Sequence, residues 1–356
     1  MSAVTVDSFG GGTELHSGKM TPAMQGGIAL AAFVVGLGIN ALLGGMGPVK
    51  TLIGTAVAFP ILTYSVARQV EGRRLATDRL ATTLAWMAFG LVMLPLVSLV
   101  WTVVTDGAAR MDATFFTETM QGVVSEGGGI RHALTGTLIV TGIAAAFSIP
   151  FGLFTAIYLV EYADGKGFSR WITMLVDVMT GIPSIVAGLF AYGLFVALDA
   201  PGHRSGLAAG VALTVLMTPV VVRSSEEMLR LVQDELREAA YALGVPKWKT
   251  IVKVVLPTAI GGILTGATLA IARVIGETAP LLVTAGTIKT LNANPIEGRM
   301  ETLPIYSYYS YKTPTIPPEL SYERMWASAL VLMIVVAVLF SLARVLAAVL
   351  KPKGLR

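Results

Sequence analysis

The chain has no cysteine and few charged residues. Cysteine is absent from all 356 positions, which excludes disulfides, thiolate metal ligands and cysteine nucleophiles. Only 13% of the side chains are charged, whereas 54% are hydrophobic, and soluble domains usually carry about 25% charged residues. Together with a mean hydropathy of +0.72, this composition argues against a soluble enzyme or a nucleic-acid-binding protein and indicates a membrane protein.

Motifs for catalysis and metal binding are also missing. The three histidines lie far apart without metal-ligand spacing, at His16, His132 and His203. The sequence contains neither an H-E-x-x-H metal motif nor a G-x-S-x-G nucleophile elbow. It also lacks the G-x-x-x-x-G-K-[ST] phosphate loop. We therefore expect a protein that is not an enzyme and that binds no cofactor or metal itself.

Long apolar runs predict an all-α integral membrane protein. A spanning helix needs about 20 mostly apolar residues, and glycine and proline within such runs are typical of helices rather than of alternating barrel strands. Eight runs predict transmembrane helices, at 26–46, 51–67, 80–104, 133–160, 171–198, 207–222, 258–286 and 326–350.

The distribution of Lys and Arg predicts the orientation. With the N-terminus in the cytoplasm, roughly twice as many basic residues fall in cytoplasmic loops as in outer loops, as the positive-inside rule requires. Both termini are therefore predicted to be cytoplasmic. Residues 1–25 are polar and Gly-rich, without the apolar core of a cleaved signal. They predict a disordered tail, and residues 351–356 predict a second cytoplasmic tail.

The longest cytoplasmic segment, 223–257, has the pattern of two helices joined by a bend. Apolar residues recur at helical spacing between Met228 and Leu243. Gly244 is predicted to end this helix, and Pro246 suits the start of a second, short one. Such a pair would offer a compact surface to a cytoplasmic partner. The alternative is an amphipathic helix that rests on lipid.

Two charged residues inside the seventh span indicate a functional site, because a charge at mid-bilayer costs about 2.5–3.5 kcal/mol even on insertion scales. Arg273 and Glu277 are four positions apart and are predicted to share a helix face, with a kink at Pro280. One interpretation is a structural ion pair. In the other, Arg273 lines an anion path, since its planar guanidinium suits oxyanions, and Glu277 competes with the anion so that it is not held tightly.

The fifth span carries an acidic residue and a predicted break. Asp177 is followed by Thr180, Gly181, Pro183 and Ser184, which together favour a kink or break. Asp177, Ser184 and Thr278 are further candidates for the substrate path. Prolines inside other spans favour bent helices around a cavity, at Pro60, Pro95, Pro150 and Pro219.

One motif in segment 223–257 resembles a known family. Glu238-Ala239-Ala240 is followed at fixed spacing by Gly244, Val254 and Leu256-Pro257. This pattern resembles the EAA loop of ABC importer permeases, with Val254 where isoleucine is more usual. The resemblance implies that this segment is a coupling loop that docks into a separate ATPase, which binds ATP–Mg. The implied loop residues are Glu238, Ala239, Ala240, Gly244, Leu256 and Pro257.

Further motifs resemble the phosphate-specific permeases of the PstA type, namely Gly181-Ile-Pro-Ser184, Arg273-Val-Ile-Gly-Glu-Thr-Ala-Pro280 and Leu303-Pro-Ile-Tyr306. The likeness covers about residues 80–350, which implies a six-helix, type I permease core. Residues 26–79 would then hold two extra N-terminal helices and a basic loop. Val274 and Ile275 replace the small residues expected after Arg273, and this predicts less room beside the path.

The resemblance implies the permease subunit of an ATP-driven phosphate importer in a bacterial inner membrane, working by alternating access. The implied partners are a PstC-type permease, a PstB-type ATPase dimer, a PstS-type phosphate-binding protein, phosphate and membrane lipid, without nucleic acid. Two alternatives stay open. One is an importer of molybdate or sulfate; the other is an ion-coupled secondary transporter in which Asp177, Arg273 and Glu277 relay protons.

Overall fold

The computed structural model describes residues 19–42, 47–163, 167–198 and 202–350, and within these ranges the regular secondary structure is entirely helical. The helices are α1 (Pro22–Leu42), α2 (Pro48–Val70), α3 (Arg73–Ala108), α4 (Ala113–Thr117), α5 (Arg131–Ile157), α6 (Phe168–Thr180), α7 (Ser184–Leu198), α8 (Gly206–Arg230), α9 (Asp234–Ala242), α10 (Lys247–Thr250), α11 (Leu256–Ile275), α12 (Ala279–Thr284), α13 (Leu303–Lys312) and α14 (Glu319–Leu350). Two π-helical turns, Tyr158–Tyr162 and Ile251–Val255, follow α5 and α10.

The predicted spans coincide with helices. Seven helical segments in the described ranges are long and apolar enough to cross a membrane, and the bent pair α6 and α7 would make an eighth. The helical form follows from the lipid environment, which offers no partner to an exposed backbone N–H or C=O group. The axes of α6 and α7 are bent by 109°, which confirms the break predicted at Gly181 and Pro183.

Several predicted boundaries differ from those of the helices, and two of the differences bear on the predicted organisation. The seventh span was expected to be one kinked helix over 258–286, but α11 ends at Ile275 and α12 begins separately at Ala279. Pro280 lies in the first turn of α12, where its missing N–H costs nothing. Helix α1 begins at Pro22, inside the tail predicted for residues 1–25. Residues 1–18 and 351–356, from the two predicted tails, lie outside the described residues.

The chain divides into two compact units at Val100, within α3. In the first unit α1 packs against α2, where Gly36 and Gly54 face each other. The buried carboxylate of Glu71 accepts a hydrogen bond from the Met20 amide at 2.6 Å and one from Arg79 at 2.7 Å. This carboxylate ties the residues before α1 to the start of α3. The predicted domain limits at residues 26, 80 and 350 stay predictions.

The second unit is built around α5 and α8, which share the most extensive helix–helix contact in the structure. Between them, the Ser148 hydroxyl donates to the Thr214 carbonyl oxygen at 3.3 Å and accepts from the Thr218 hydroxyl at 3.2 Å. The core beside this contact contains Val140, Leu213, Met217, Val274, Leu281 and Ile305. Helix α11 packs against α8 as well and also contacts α5, so the three helices share this core.

Gly136 and Gly142 of α5 provide a matched test of this packing. A Cβ atom on Gly136 would lie 2.0 Å from the Glu301 carbonyl oxygen, whereas one on Gly142 would meet nothing within 4 Å. We expect Gly136→Ala to lower the free energy of unfolding by about 1–3 kcal/mol through overpacking. Gly142→Ala should be neutral or stabilising by up to about 1 kcal/mol because alanine favours the helix. Thermal unfolding in detergent measures both, and equal stability of the two variants would contradict the described packing.

Candidate functional site

Segment 223–257 contains the predicted bend, but its helices divide differently from the prediction. Helix α8 continues to Arg230 and a separate helix, α9, begins at Asp234, so the apolar residues expected on one helix lie on two. Gly244 follows α9 with a φ of +76°, a left-handed conformation that favours glycine. The Val245 amide donates to the Ala240 carbonyl oxygen at 3.1 Å and closes the turn. This confirms the predicted position of the bend.

The second helix of the segment is not short. Helix α10 passes through the π-helical turn at Ile251–Val255 directly into α11, which forms one helical segment over Lys247–Ile275. Pro257 has no N–H to donate to the carbonyl of Lys253, and the π-helical turn lies just before it. Leu256 packs beside a buried cluster that includes Ala156 and Leu229. Leu256 and Pro257 therefore lie where the loop continues without interruption into a spanning helix.

Arg237 anchors α9 to the end of α5. Its guanidinium donates to the Glu161 carboxylate at 2.9 Å and 3.1 Å, and to the carbonyl oxygens of Val232 at 2.6 Å and Leu229 at 2.9 Å. The Glu161 side chain is only 4% exposed. A buried charge is tolerated only where it is paired and hydrogen-bonded. The loop is therefore fixed to the spanning helices through this pair.

Several side chains of the loop and of the turns beside it are exposed. Glu238 and Ala239 are exposed, whereas Ala240 is buried. Large apolar side chains around them are exposed too, with Leu231 at 73%, Leu243 at 84% and Trp248 at 61%. Exposed apolar side chains grouped in one short segment are typical of an interaction surface. We call this group, with Glu238 and Ala239, the loop face.

Asp177 is paired. Its carboxylate accepts a hydrogen bond from Arg223 of α8. Arg223 also donates to Glu226 at 2.8 Å, and Glu226 accepts from Arg230 at 2.7 Å. These four residues connect the last turn of α6 with the end of α8 that leads into the loop. In this conformation Asp177 serves as a contact between helices; its place on the substrate path stays a prediction.

Arg273 and Glu277 do not form the predicted ion pair. Helix α11 ends before Glu277, whose backbone N–H donates to the Val274 carbonyl oxygen at 3.1 Å, so the two residues do not share a helical face. Arg273 is exposed and Glu277 half-buried, and in the described ranges neither side chain makes a hydrogen bond or an ion pair. Val274 and Ile275 are buried in the core, and the predicted crowding beside Arg273 stays a prediction.

The two helix breaks, after Thr180 and after Ile275, are each followed by a helix, and these two helices pack against each other. Helix α7, which begins at Ser184, packs against α12, which follows Thr278. A Cβ atom on Gly188 of α7 would lie 2.6 Å from the Cα of Pro280, so these helices touch backbone to backbone. Ser184 and Thr278 are both half-buried. At the breaks the amides of Gly181 and Glu277 still donate to the carbonyl oxygens of Val178 and Val274, each at 3.1 Å, so irregular backbone at membrane depth is partly satisfied within the protein.

Sequence reasoning missed the ionic contacts that hold these parts in place. Glu161 directly follows the fourth predicted span. An acidic residue at the edge of an apolar run is the sequence feature that could have indicated a buried ionic contact there. Arg237 immediately precedes the motif Glu238-Ala239-Ala240, but its partner lies 76 positions earlier. No spacing rule connects residues that far apart.

Residues 148–353 match the family described as "Binding-protein-dependent transport system inner membrane component". This match covers more than half of the chain and includes both helix breaks and the whole loop. The chain belongs to this family of membrane permeases. The permease family predicted from the motifs is thereby confirmed, with the loop face and the two breaks inside the matched region.

Curated relatives agree with this assignment. The permease is 47% identical over 275 residues to "Phosphate transport system permease protein PstA 1" of Mycobacterium tuberculosis (strain ATCC 25618 / H37Rv), a match that spans 76% of this chain and 88% of the relative. It is 41% identical over 220 residues to the PstA protein of Yersinia pestis, which covers 61% of this chain and 73% of the relative.

A solved structure has the same fold. A chain of a bacterial alginate ABC transporter, crystallised with its alginate pentasaccharide-bound periplasmic protein, matches with a TM-score of 0.54 over 76% of this permease and 94% of that chain. At 12% identity this likeness concerns the fold alone. It is the fold of an ABC importer permease, as predicted.

The pair of Arg237 and Glu161 can be tested against an exposed pair nearby. We expect Arg237→Met to lower the free energy of unfolding by about 3–5 kcal/mol, because it leaves the buried Glu161 carboxylate without its partner. Arg230→Met, at a side chain that is 65% exposed, should cost less than about 1 kcal/mol. Thermal unfolding and limited proteolysis of the loop measure the difference. Similar losses in both variants would show that the buried pair does not anchor the loop.

Proposed function

We propose that this permease forms half of the membrane path of an ATP-driven importer of inorganic phosphate. The observation that carries the proposal is the identity of 47% with a phosphate transport permease over 76% of the chain. The unpaired Arg273 beside a helix break supports it, since a guanidinium offers a planar set of donors that suits a tetrahedral oxyanion. The nearby Glu277 would keep the anion from binding tightly, which transport requires.

The partners follow from this proposal. A PstB-type ATPase dimer binds ATP–Mg and receives the loop face in the cytoplasm. A PstC-type permease completes the path beside Arg273, and a PstS-type protein delivers phosphate from outside. Both termini lie in the cytoplasm. Glu238 would pair with a basic group of the ATPase, while the exposed Leu231, Leu243 and Trp248 supply apolar contact area.

The loop face and the proposed anion contact at Arg273 would be coupled through the helices to which the loop is joined. When ATP closes the ATPase dimer, the loop face moves with it. The loop is joined to α11 through a continuous helix and to α5 through the pair of Arg237 and Glu161. Motion of the loop therefore moves both spanning helices and shifts the path between outward-facing and inward-facing states. Helix α11 carries Arg273 near its other end, which places the proposed anion contact on a moving element.

The uptake of labelled phosphate into vesicles that hold the assembled transporter tests the function. We expect uptake to require ATP and to be abolished by Arg273→Gln, because the amide cannot replace the charge of the guanidinium. Arg74→Gln removes the same charge from an exposed position at the start of α3 and should leave uptake unchanged. Uptake without ATP would contradict an ATP-driven importer and favour an ion-coupled transporter. Equal inhibition by molybdate or sulfate would contradict selectivity for phosphate.

The bend at Gly244 tests coupling separately. Gly244→Ala places a Cβ atom in a left-handed conformation, which costs about 1–2 kcal/mol, so we expect binding of the ATPase to weaken about tenfold. Gly122 has a similar φ of +72° and, like Gly244, open space around it, so Gly122→Ala introduces the same strain away from the loop. Biolayer interferometry with the purified ATPase measures both variants. An equal effect of the two substitutions would contradict a specific role of the bend.

A further inference from the structure

A small polar cavity lies far from the loop, at the other end of α5. Its volume is about 250 Å³, and it is lined mainly by residues of α13, α14 and the segment before α13. We call it the Arg324 cavity. The charged and hydroxyl groups of its lining are Thr287, Lys289, Glu301, Tyr306, Tyr309, Ser310, Thr313, Thr315, Ser321 and Arg324. A helix with the length of α5 spans about 40 Å, so this cavity is remote from Glu161 and the loop face.

Arg324 is a buried cation without a counter-ion in the described part of the chain. Arg324 is only 2% exposed. One nitrogen of its guanidinium donates a hydrogen bond to the Ser125 carbonyl oxygen. A guanidinium has five N–H donors. A buried charge that is neither paired nor fully hydrogen-bonded is strongly unfavourable. An anion bound in the cavity beside Arg324 would supply the missing counter-ion.

The nearby carboxylate of Glu301 does not serve as that anion. It accepts hydrogen bonds from the Thr287 hydroxyl at 2.9 Å and the Ile288 amide at 3.4 Å, and it lies 3.3 Å from Nε2 of His132. Glu301 is thus held by its own partners, and no ion pair with Arg324 forms. Lys289 adds a second positive charge to the cavity lining. The two basic residues outnumber the single carboxylate.

The hydroxyl of Tyr306, which also lines the cavity, is available as a hydrogen-bond donor. The residue is 4% exposed, and its hydroxyl has no hydrogen-bond partner in the described ranges. It lies near Ser310, but no hydrogen bond of normal geometry joins the two hydroxyls. Burial raises the pKa of Tyr306 well above its usual value, so the hydroxyl keeps its proton and stays a donor. The ring is fixed by packing against His132, with centroids 5.6 Å apart.

We propose that the Arg324 cavity binds a small oxyanion, with Arg324, Lys289 and the Tyr306 hydroxyl as its donors. The identity of the anion as inorganic phosphate rests on the proposed function; the need for an anion does not. With the loop on the cytoplasmic side, the cavity lies at the outer end of the permease. It is separate from Arg273, so it would hold an anion before the anion enters the membrane path.

Equilibrium binding of labelled inorganic phosphate to the full chain in lipid nanodiscs tests the proposal. The assay uses the Arg273→Gln chain, so that an anion at Arg273 adds nothing to the signal. We expect saturable binding that Tyr306→Phe weakens about tenfold, because a hydrogen bond to a charged group is lost. Arg324→Gln should abolish binding. Tyr322→Phe, on the same helix as Arg324 but outside the cavity, should leave binding unchanged.

Tyr306→Phe is the decisive variant because it removes a hydroxyl without a partner and should not alter thermal unfolding. Its result stands even if Arg324→Gln fails to fold. Absence of saturable binding, or binding by Tyr306→Phe equal to the parent chain, would overturn the proposal and leave a water-filled cavity. Phosphate binding together with a failure of ATP-dependent uptake would instead overturn the proposed transport function while the cavity site stands.

Discussion

The close contact of α5 and α8 is the interaction on which the rest of the second unit depends. Hydroxyl groups of Ser148 and Thr218 join the two helices, and a Cβ atom on Gly210 of α8 would lie only 2.5 Å from Ile143 of α5. At one end of α5, Glu161 holds the loop through Arg237. At the other end, Gly136 touches the backbone of Glu301, which lines the Arg324 cavity. The pair of α5 and α8 therefore positions both the loop and the Arg324 cavity.

The charged groups of this permease fall into two classes with different roles. Glu161 with Arg237, and Asp177 with Arg223 and Glu226, satisfy each other and hold elements together. Arg273, Glu277 and Arg324 have no ionic partner in the described ranges. Since an unpaired charge in or near a membrane is costly, a bound anion is the simplest compensation for Arg273 and Arg324, and a cationic group of a partner subunit is the simplest one for Glu277. This contrast supports placing anion binding at the two unpaired arginines and coupling at the paired groups.

The two broken spans explain how a helical protein can offer polar groups inside a membrane. A continuous helix uses its own backbone donors and acceptors, whereas each break frees a few of them. Here the breaks after Thr180 and Ile275 lie next to α7 and α12, which pack backbone to backbone at Gly188 and Pro280. Irregular backbone is thus supported by protein contacts, and the unpaired Arg273 and Glu277 flank one of the breaks.

The sequence by itself determined the spans, the break at Gly181 and Pro183, and the bend at Gly244, because apolar length, proline and glycine act through neighbouring residues. Its motifs also identified the permease family. Only the tertiary structure decided which charges pair. Glu161 and Arg237 are 76 positions apart, and Asp177 and Arg223 are 46 apart, so their contact depends on how whole helices dock. The predicted pair of Arg273 and Glu277 failed for a different reason: a spacing of four predicts contact only within a continuous helix, and the backbone leaves the helix before Glu277.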